Sequence, residues 1–230
     1  MESMVRFDDI DDLRSGPLRR AVAALADESV VAGRLDSLEA ARRDLSQDHT
    51  PFDDRDGAVT VSEFSHRVSK PPEWCRFLHV LAHELAPRTV VEMGTGVGIS
   101  AAAIASALPP ASLMWTVDLR PESGEYARRL FNRLGLSPFV VTGRFDEILD
   151  QVLFEAEPVD LLFVDGHHQY QPTLDYTDQA AAYLSDRAVV VYDDISWSEG
   201  MQQAWAEIRT QDRWAWTVDL GAVGVCGVRS

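Results

Sequence analysis

The sequence predicts an α/β domain: a doubly wound, mostly parallel seven-stranded sheet with a C-terminal antiparallel hairpin and an N-terminal helical cap. Three observations carry this. From about Pro71, short β-branched runs alternate with helical runs, the pattern of crossover units. The central runs are continuously apolar, as strands covered by helices on both faces are. The last two runs meet at Gly221 without an intervening helix, which reads as a hairpin.

The elements follow in order. Residues 1–16 read as an acidic, poorly ordered lead-in. Over residues 17–47, Leu18, Val22, Leu25, Val30, Val31, Leu35, Leu38 and Leu45 carry helical spacing. Asp48 to Gly57 reads as a loop, with Pro51, four aspartates and the glycine. Strands are expected at 89–93, 113–117, 139–141, 159–164 and 188–192, then 214–220 and 222–228. Helices are expected at 74–85, 99–108, 122–134, 146–154, 172–184 and 197–210, the second stopped by Pro109-Pro110. The domain boundary is expected near residue 64, with the cap before it and a ligand-binding domain over 65–230.

Composition narrows the function. Of 230 residues, 46% are hydrophobic, enough for a substantial core. Twenty-one basic residues against 37 acidic ones give a net charge of −16, which argues against nucleic acid as a partner. A small-molecule substrate fits better. No apolar run approaches the roughly 20 residues that span a bilayer, and the start lacks the basic and apolar regions of a signal peptide. Cys75 and Cys226 are expected to be free thiols, and the compartment cytoplasmic. The N-terminal helices are expected either to cover the acceptor site or to form a homodimer or larger homo-oligomer contact.

The sharpest motif is Val90-Val91-Glu92-Met93-Gly94-Thr95-Gly96-Val97-Gly98-Ile99-Ser100. A strand runs into three glycines and then a helix, whose start offers unpaired N–H groups. Such a turn lies where ligands bind in parallel sheets. The spacing is G-x-G-x-G rather than the G-x-G-x-x-G of dinucleotide sites, with Ile99 at the late-glycine position. Glu92 before the loop would repel a pyrophosphate but pair with an ammonium, directly or through water. Asp118, ending the second strand, can accept both hydroxyls of a ribose. Together these suit an adenosine that carries an amino acid. The bland reading is a plain strand-to-helix turn, with Asp118 as a helix cap.

The second constellation is Phe163-Val164-Asp165-Gly166-His167-His168-Gln169-Tyr170, with Val190-Val191-Tyr192-Asp193-Asp194. Neighbouring strands lie about 4.8 Å apart, so Asp165, Asp193 and Asp194 can converge on one rim. Unpaired, they would repel each other, and a divalent cation would resolve that repulsion. Oxygen ligands suit Mg2+, Ca2+ or Mn2+. The bland readings are a helix cap for Asp193-Asp194, metal-free ligand binding for Asp165, and an ordinary loop histidine for His168.

These motifs resemble the class I S-adenosylmethionine-dependent methyltransferases over roughly residues 65–230, and with them a Rossmann-like sheet. The resemblance implies cofactor contacts at Glu92, Gly94, Thr95, Gly96, Gly98, Ser100, Asp118 and Leu119. It places Gly143, Arg144 and Phe145 at the adenine, and Asp165 and His167 on the same rim. Asp-Gly-x-His and Asp-Asp are similar to a bacterial branch of metal-dependent O-methyltransferases that includes the macrocin and mycinamicin types. That resemblance implies a metal on Asp165, Asp193 and Asp194, and His168 as general base toward an acceptor hydroxyl. His167 departs from the branch, where Asp is frequent; it either orients the cofactor or caps the next helix. The implied activity is O-methylation of a hydroxylated small molecule. Metal-independent methylation of nitrogen, carbon or carboxylate is the alternative, and a non-catalytic relative of the fold a third.

Other features carry less. His79 and His83 lack a zinc motif, and Asp53 to Gly57 misses the calcium-loop spacing. His66, Arg67, Ser69 and Lys70 read as a solvated connector rather than as a strap over the cofactor. Trp197, Trp205, Trp214 and Trp216 read as packing, with Trp197 also a candidate wall of the acceptor pocket.

Overall fold

The computed structural model describes residues 12–31, 33–54 and 57–229. Up to residue 11 the expected lead-in lies outside the described residues; from Asp12 the chain is helical. α1 (Asp12–Ala26) is followed by a 3-10 turn (Glu28–Val31) and α2 (Asp36–Leu45). The acidic stretch read as a loop contains a short strand, β1 (Pro51–Asp54), paired antiparallel with β2 (Gly57–Thr60). Its anchor is one side chain. Phe52 is buried and stacks on Phe64 with ring centroids 4.1 Å apart.

Phe64 belongs to α3 (Val61–Val68), which opens with a capping box. The Thr60 hydroxyl accepts from Glu63 N–H, and the Glu63 carboxylate accepts from Thr60 N–H. α4 (Pro72–Leu85) starts on a proline in its first turn and packs along α1. The N-terminal segment is thus braced against the main body at two places.

The main body then alternates strand and helix: β3 (Thr89–Met93), α5 (Ile99–Ala105), β4 (Leu113–Asp118), α6 (Pro121–Leu134), β5 (Phe139–Thr142), α7 (Phe145–Ala156), β6 (Val159–Val164) and α8 (Tyr170–Ala181). It closes with β7 (Leu184–Tyr192), α9 (Glu199–Ile208), β8 (Trp214–Asp219) and β9 (Gly224–Val228). The seven-stranded sheet runs β5-β4-β3-β6-β7-β9-β8. β3 to β7 are parallel, and β9 inserts antiparallel between β7 and β8. β7 begins at Leu184, four residues before its expected start. Asp160 on β6 explains this, because it bonds Ser185 and Arg187 and holds that segment in the ladder.

Continuous apolar strands have a simple use here. Val90, Leu161, Phe163, Val189 and Val191 face one core, shared with α4, α5 and α6. Val91, Met93, Leu162, Val164, Val190 and Tyr192 face the other, shared with α7, α8 and α9. The central positions of these strands are therefore buried on both faces of the sheet. β3 lies between β4 and β6, so successive crossovers leave it on opposite sides. That switch point opens a crevice at the carboxyl ends of the strands.

Register puts the site residues in one row. Met93 pairs with Val117 and Val164, and Val164 with Tyr192. The next position on each strand is Gly94, Asp118, Asp165 and Asp193. Backbone bonds carry the ladder into that row: Gly94 N–H to Val117 O, Asp165 N–H to Met93 O and Asp193 N–H to Val164 O, at 2.8–2.9 Å.

Phe52→Ala is expected to cost about 3 kcal/mol, typical of a buried aromatic truncation, and to release α3 from its hairpin. The midpoint of urea unfolding checks this; a midpoint equal to the wild type's would show that the hairpin does not brace α3.

Candidate active site

The glycine loop leaves β3 with backbone that only glycine tolerates at its first position. Gly94 has φ +107°, and a Cβ there would run into the Asp165 carbonyl on the neighbouring strand. Gly98, with φ +89°, begins α5 against the Ala127 backbone of α6, 3.0 Å from where a Cβ would stand. Between them the Gly96 N–H donates to Asp118 Oδ2 at 2.9 Å, while Asp118 Oδ1 accepts from Arg120 N–H at 2.9 Å. Asp118 therefore ties the loop to the end of β4. It keeps lone pairs for a ligand, since a carboxylate offers about four acceptor sites.

Glu92 does not reach the ligand space, a correction to its expected cofactor contact. It is fully buried beneath the loop, its Oε2 accepting from the Thr116 hydroxyl at 2.5 Å. The Thr95 hydroxyl joins the same chain through Thr116, at 2.7 Å. Burial pushes the Glu92 carboxyl up to about 7, against hydrogen bonding from Thr116 and Ser100. Thr95, Gly98 and Ser100 likewise support the loop from below rather than facing the cavity.

A cavity of about 590 Å³ opens above this floor, within the roughly 300–1,000 Å³ common for small-molecule sites. Gly94, Gly96, Asp118 and Leu119 line one part, and Gly143, Arg144 and Phe145 another. Asp165, His167, His168 and Asp194 line the rest, so most of the expected site residues meet in one space. Asp193 lies just beneath, 4% exposed. A glycine cradle at one end and a ribose-competent carboxylate beside it fit an S-adenosyl nucleoside.

His167 bonds Tyr176 Oη through Nδ1 at 2.9 Å, and the two rings stack. Both rings border the cavity, and Gln169 is the N-cap residue of α8, so His167 does not cap that helix. Nor do Asp193 and Asp194 cap α9, whose first turn is held by the Ser198 hydroxyl. His168 Nε2 stands 3.6 Å from Asp165 Oδ1 and 3.8 Å from Asp194 Oδ2. Burial lowers its pKa, against the attraction of Asp194 and Asp193, so the ring is neutral at neutral pH.

Burial and repulsion from Asp193 raise the Asp165 carboxyl well above the usual range, while Lys70 opposes this. Asp194 is raised too, by burial and by Asp193. The ammonium of Lys70 lies 3.0 Å from Asp165 Oδ1 and is also paired with Asp193 Oδ2. Burial works to lower the Lys70 pKa, but the attraction of Asp165 and Asp193 outweighs it.

The arrangement tests the expected metal. Ligand atoms of Asp165, His168 and Asp193 lie within 4.8 Å of one another, so the convergent set includes His168 where Asp194 was expected. The place a cation would take, between Asp165 and Asp193, is held by the Lys70 ammonium. A divalent ion does not fit this arrangement as it stands.

Several lining residues escaped the sequence reading. Phe64 and Val68 come from α3 and Tyr176 from α8, while Lys70, weighed as a connector, lines the cavity from between α3 and α4. Arg67 was weighed as connector and lines the cavity, and Trp197, 74% exposed, stands at its edge. Their only signal was proximity to strand ends, and tertiary packing decides that. His79 is a buried structural residue, bonded through Nδ1 to Ala103 O.

The glycine cradle at the switch point of this sheet lies within a stretch that matches a known domain family. Residues 91–195 match the family model described as a methyltransferase domain, and the sheet is the fold of the S-adenosylmethionine-dependent O-methyltransferases. The chain is similar to a provisional O-methyltransferase of Mycobacterium sp. (strain JLS), 34% identical over 98 residues, 41% of this chain and 44% of that protein. A catechol O-methyltransferase of Niastella koreensis is 29% identical over 131 residues, 56% of this chain and 58% of that one. The aligned stretch thus spans about half the length of these relatives. Two solved structures share the fold. The O-methyltransferase TomG of Streptomyces achromogenes, in complex with SAM, has a TM-score of 0.67 at 19% identity, covering 85% of this chain and 90% of its own. The Bacillus cereus O-methyltransferase, in complex with SAH, has 0.66 at 19% identity, covering 89% and 97%. No helix among the described residues is long and apolar enough to cross a membrane.

The buried Glu92 makes a pH prediction. Folded, it holds its proton up to about pH 7, whereas the unfolded chain releases it near 4.5. Between those values the folded state binds more protons, so this group's contribution to stability falls as pH rises. The loss by pH 8 is about 3 kcal/mol, from 1.36 kcal/mol per pKa unit. Glu92→Gln is expected to gain stability relative to wild type on going from pH 5 to pH 8, in denaturant titrations without ligand. A difference independent of pH would show that Glu92 is not held protonated.

Proposed function

We propose that this chain is an S-adenosylmethionine-dependent O-methyltransferase acting on a hydroxylated small molecule, with His168 as general base. One observation carries the reading: a half-buried imidazole, His168, opens into the same cavity as the glycine cradle and Asp118. The names of the O-methyltransferase and catechol O-methyltransferase relatives support it.

S-adenosylmethionine supplies a methyl group already activated on a sulfonium, so the protein's task is chiefly alignment. The loop of Gly94 and Gly96 receives the amino-acid end, Asp118 the ribose, and Gly143, Arg144 and Phe145 the adenine. His168 Nε2 takes the acceptor's hydroxyl proton as the oxygen–methyl bond forms and the carbon–sulfur bond breaks. Asp165 and Asp194, at 3.6 and 3.8 Å, stabilise the imidazolium that results. Phe64, Phe145, Tyr176 and Trp197 give the cavity flat apolar walls, suited to a ring-bearing acceptor.

The domain organisation belongs to the same proposal. The expected boundary near residue 64 falls inside α3, and the cap reaches the cavity through that helix. The acceptor is the only partner this reading needs.

A second reading keeps a divalent cation on the carboxylates, favoured by the 4.8 Å grouping of their ligand atoms with His168. It must displace Lys70, and it engages the nitrogen that the first reading needs free.

Methyl transfer to a panel of catechols, phenols and sugars tests the proposal. His168→Ala is expected to lower turnover about 10²–10⁴-fold, the usual worth of a general base, while S-adenosylhomocysteine binds as in wild type. Turnover retained by the variant, or affinity lost with turnover, removes His168 as the base.

A further inference from the structure

We propose that Lys70 is the resident cation of the carboxylate cluster: its ammonium takes the place of a divalent metal, positions Asp165 and Asp193, and makes transfer by this chain metal-independent. The catalytic half of this rests on the O-methyltransferase reading; the exclusion of metal does not.

Geometry comes first. The Lys70 ammonium pairs with Asp165 Oδ1 at 3.0 Å and with Asp193 Oδ2, bridging the ends of β6 and β7. All three side chains are nearly buried, at 13%, 9% and 4% exposure. Two carboxylates on adjacent strands cannot both stay charged there without a cation between them. A metal and an ammonium cannot share that position, because both are cations and both need the same oxygens.

The lysine is also held from behind. Its backbone lies between two helix ends that fix it. The Ser69 N–H donates to Ser65 O at the end of α3, and Pro71 is the N-cap residue of α4. The Lys70 carbonyl accepts from Cys75 Sγ, whose sulfur in turn accepts from Arg42 at 3.0 Å. A lysine on a surface strap would swing clear at the cost of a few exposed rotamers. This one starts from a braced backbone and would leave two buried carboxylates bare.

The chemistry then divides cleanly. With Lys70 in place, the His168 nitrogen is not consumed as a ligand and is free to take the acceptor proton. Asp194 needs no metal bond to act on that ring, since it already lies 3.8 Å away.

Mn2+ titration, followed by calorimetry and by the spin resonance of free Mn2+, reads this directly on protein first stripped with EDTA. Wild type is expected to bind no Mn2+ below millimolar concentration, and its methyl transfer to change less than twofold with EDTA. Lys70→Met, matched in length and uncharged, is expected to bind one Mn2+ at least tenfold more tightly, with the gain abolished by adding Asp193→Asn. Lys70→Arg keeps the charge and is expected to exclude Mn2+ as wild type does. S-adenosylhomocysteine affinity reports that each variant is folded. Tight binding of one Mn2+ by wild type, or EDTA loss of transfer restored by Mn2+, overturns the proposal. So does a folded Lys70→Met that binds no Mn2+. If Lys70→Met does not fold, the wild-type titration decides alone. If no acceptor in the panel is methylated, the O-methyltransferase reading fails while the Mn2+ titrations still decide the exclusion of metal.

Discussion

Three acids and a glycine stand in one row across the carboxyl ends of four parallel strands, and the rest of the site follows from that row. Asp118, Gly94, Asp165 and Asp193 occupy the same register position on β4, β3, β6 and β7. Strand spacing alone brings like charges to about 4.8 Å. Each must then be answered locally. Asp118 is answered by backbone N–H groups of Gly96 and Arg120, and Asp165 with Asp193 by one ammonium. The glycine leaves the gap in the row, because a side chain there would collide with the Asp165 carbonyl.

The two sides of the row are charged differently, and this separates binding from chemistry. On the β4 side the carboxylate is fixed by neutral donors and remains able to accept more hydrogen bonds. On the β6–β7 side burial and mutual repulsion raise the carboxyls, and the neighbouring imidazole is held neutral. A polar ligand is received at one end while a proton acceptor waits at the other. Beneath both, Glu92, Thr116 and Thr95 form a buried chain that stiffens the loop without touching what lies above it.

Much of this was legible in the sequence because it is local. Continuous apolar runs ending in Asp118, Asp165 and Asp193-Asp194 gave the strands and their rim, since parallel pairing converts strand ends into neighbours. The helices expected from residues 74, 99 and 122 begin at Pro72, Ile99 and Pro121, within two residues of expectation. What was not legible depends on packing between distant segments. Lys70 lies 123 residues before Asp193, and nothing in its own surroundings distinguishes it from a solvated connector. The β1–β2 hairpin was hidden because one anchor, Phe52, outweighs four aspartates and a proline. Glu92 was placed at the right strand end but on the wrong side of the loop. Glu92 is the penultimate residue of β3, and the face its side chain takes is set by the pleat and the packing around it, which an unaligned motif does not reveal.

The most direct test of the account is a calorimetric titration of S-adenosylhomocysteine into the wild-type chain and into Gly94→Ala. The account predicts one site per chain in the wild type, and loss of that binding in the variant as the loop is pushed off β6. An absence of binding in wild type, or equal affinity in the two, would contradict it.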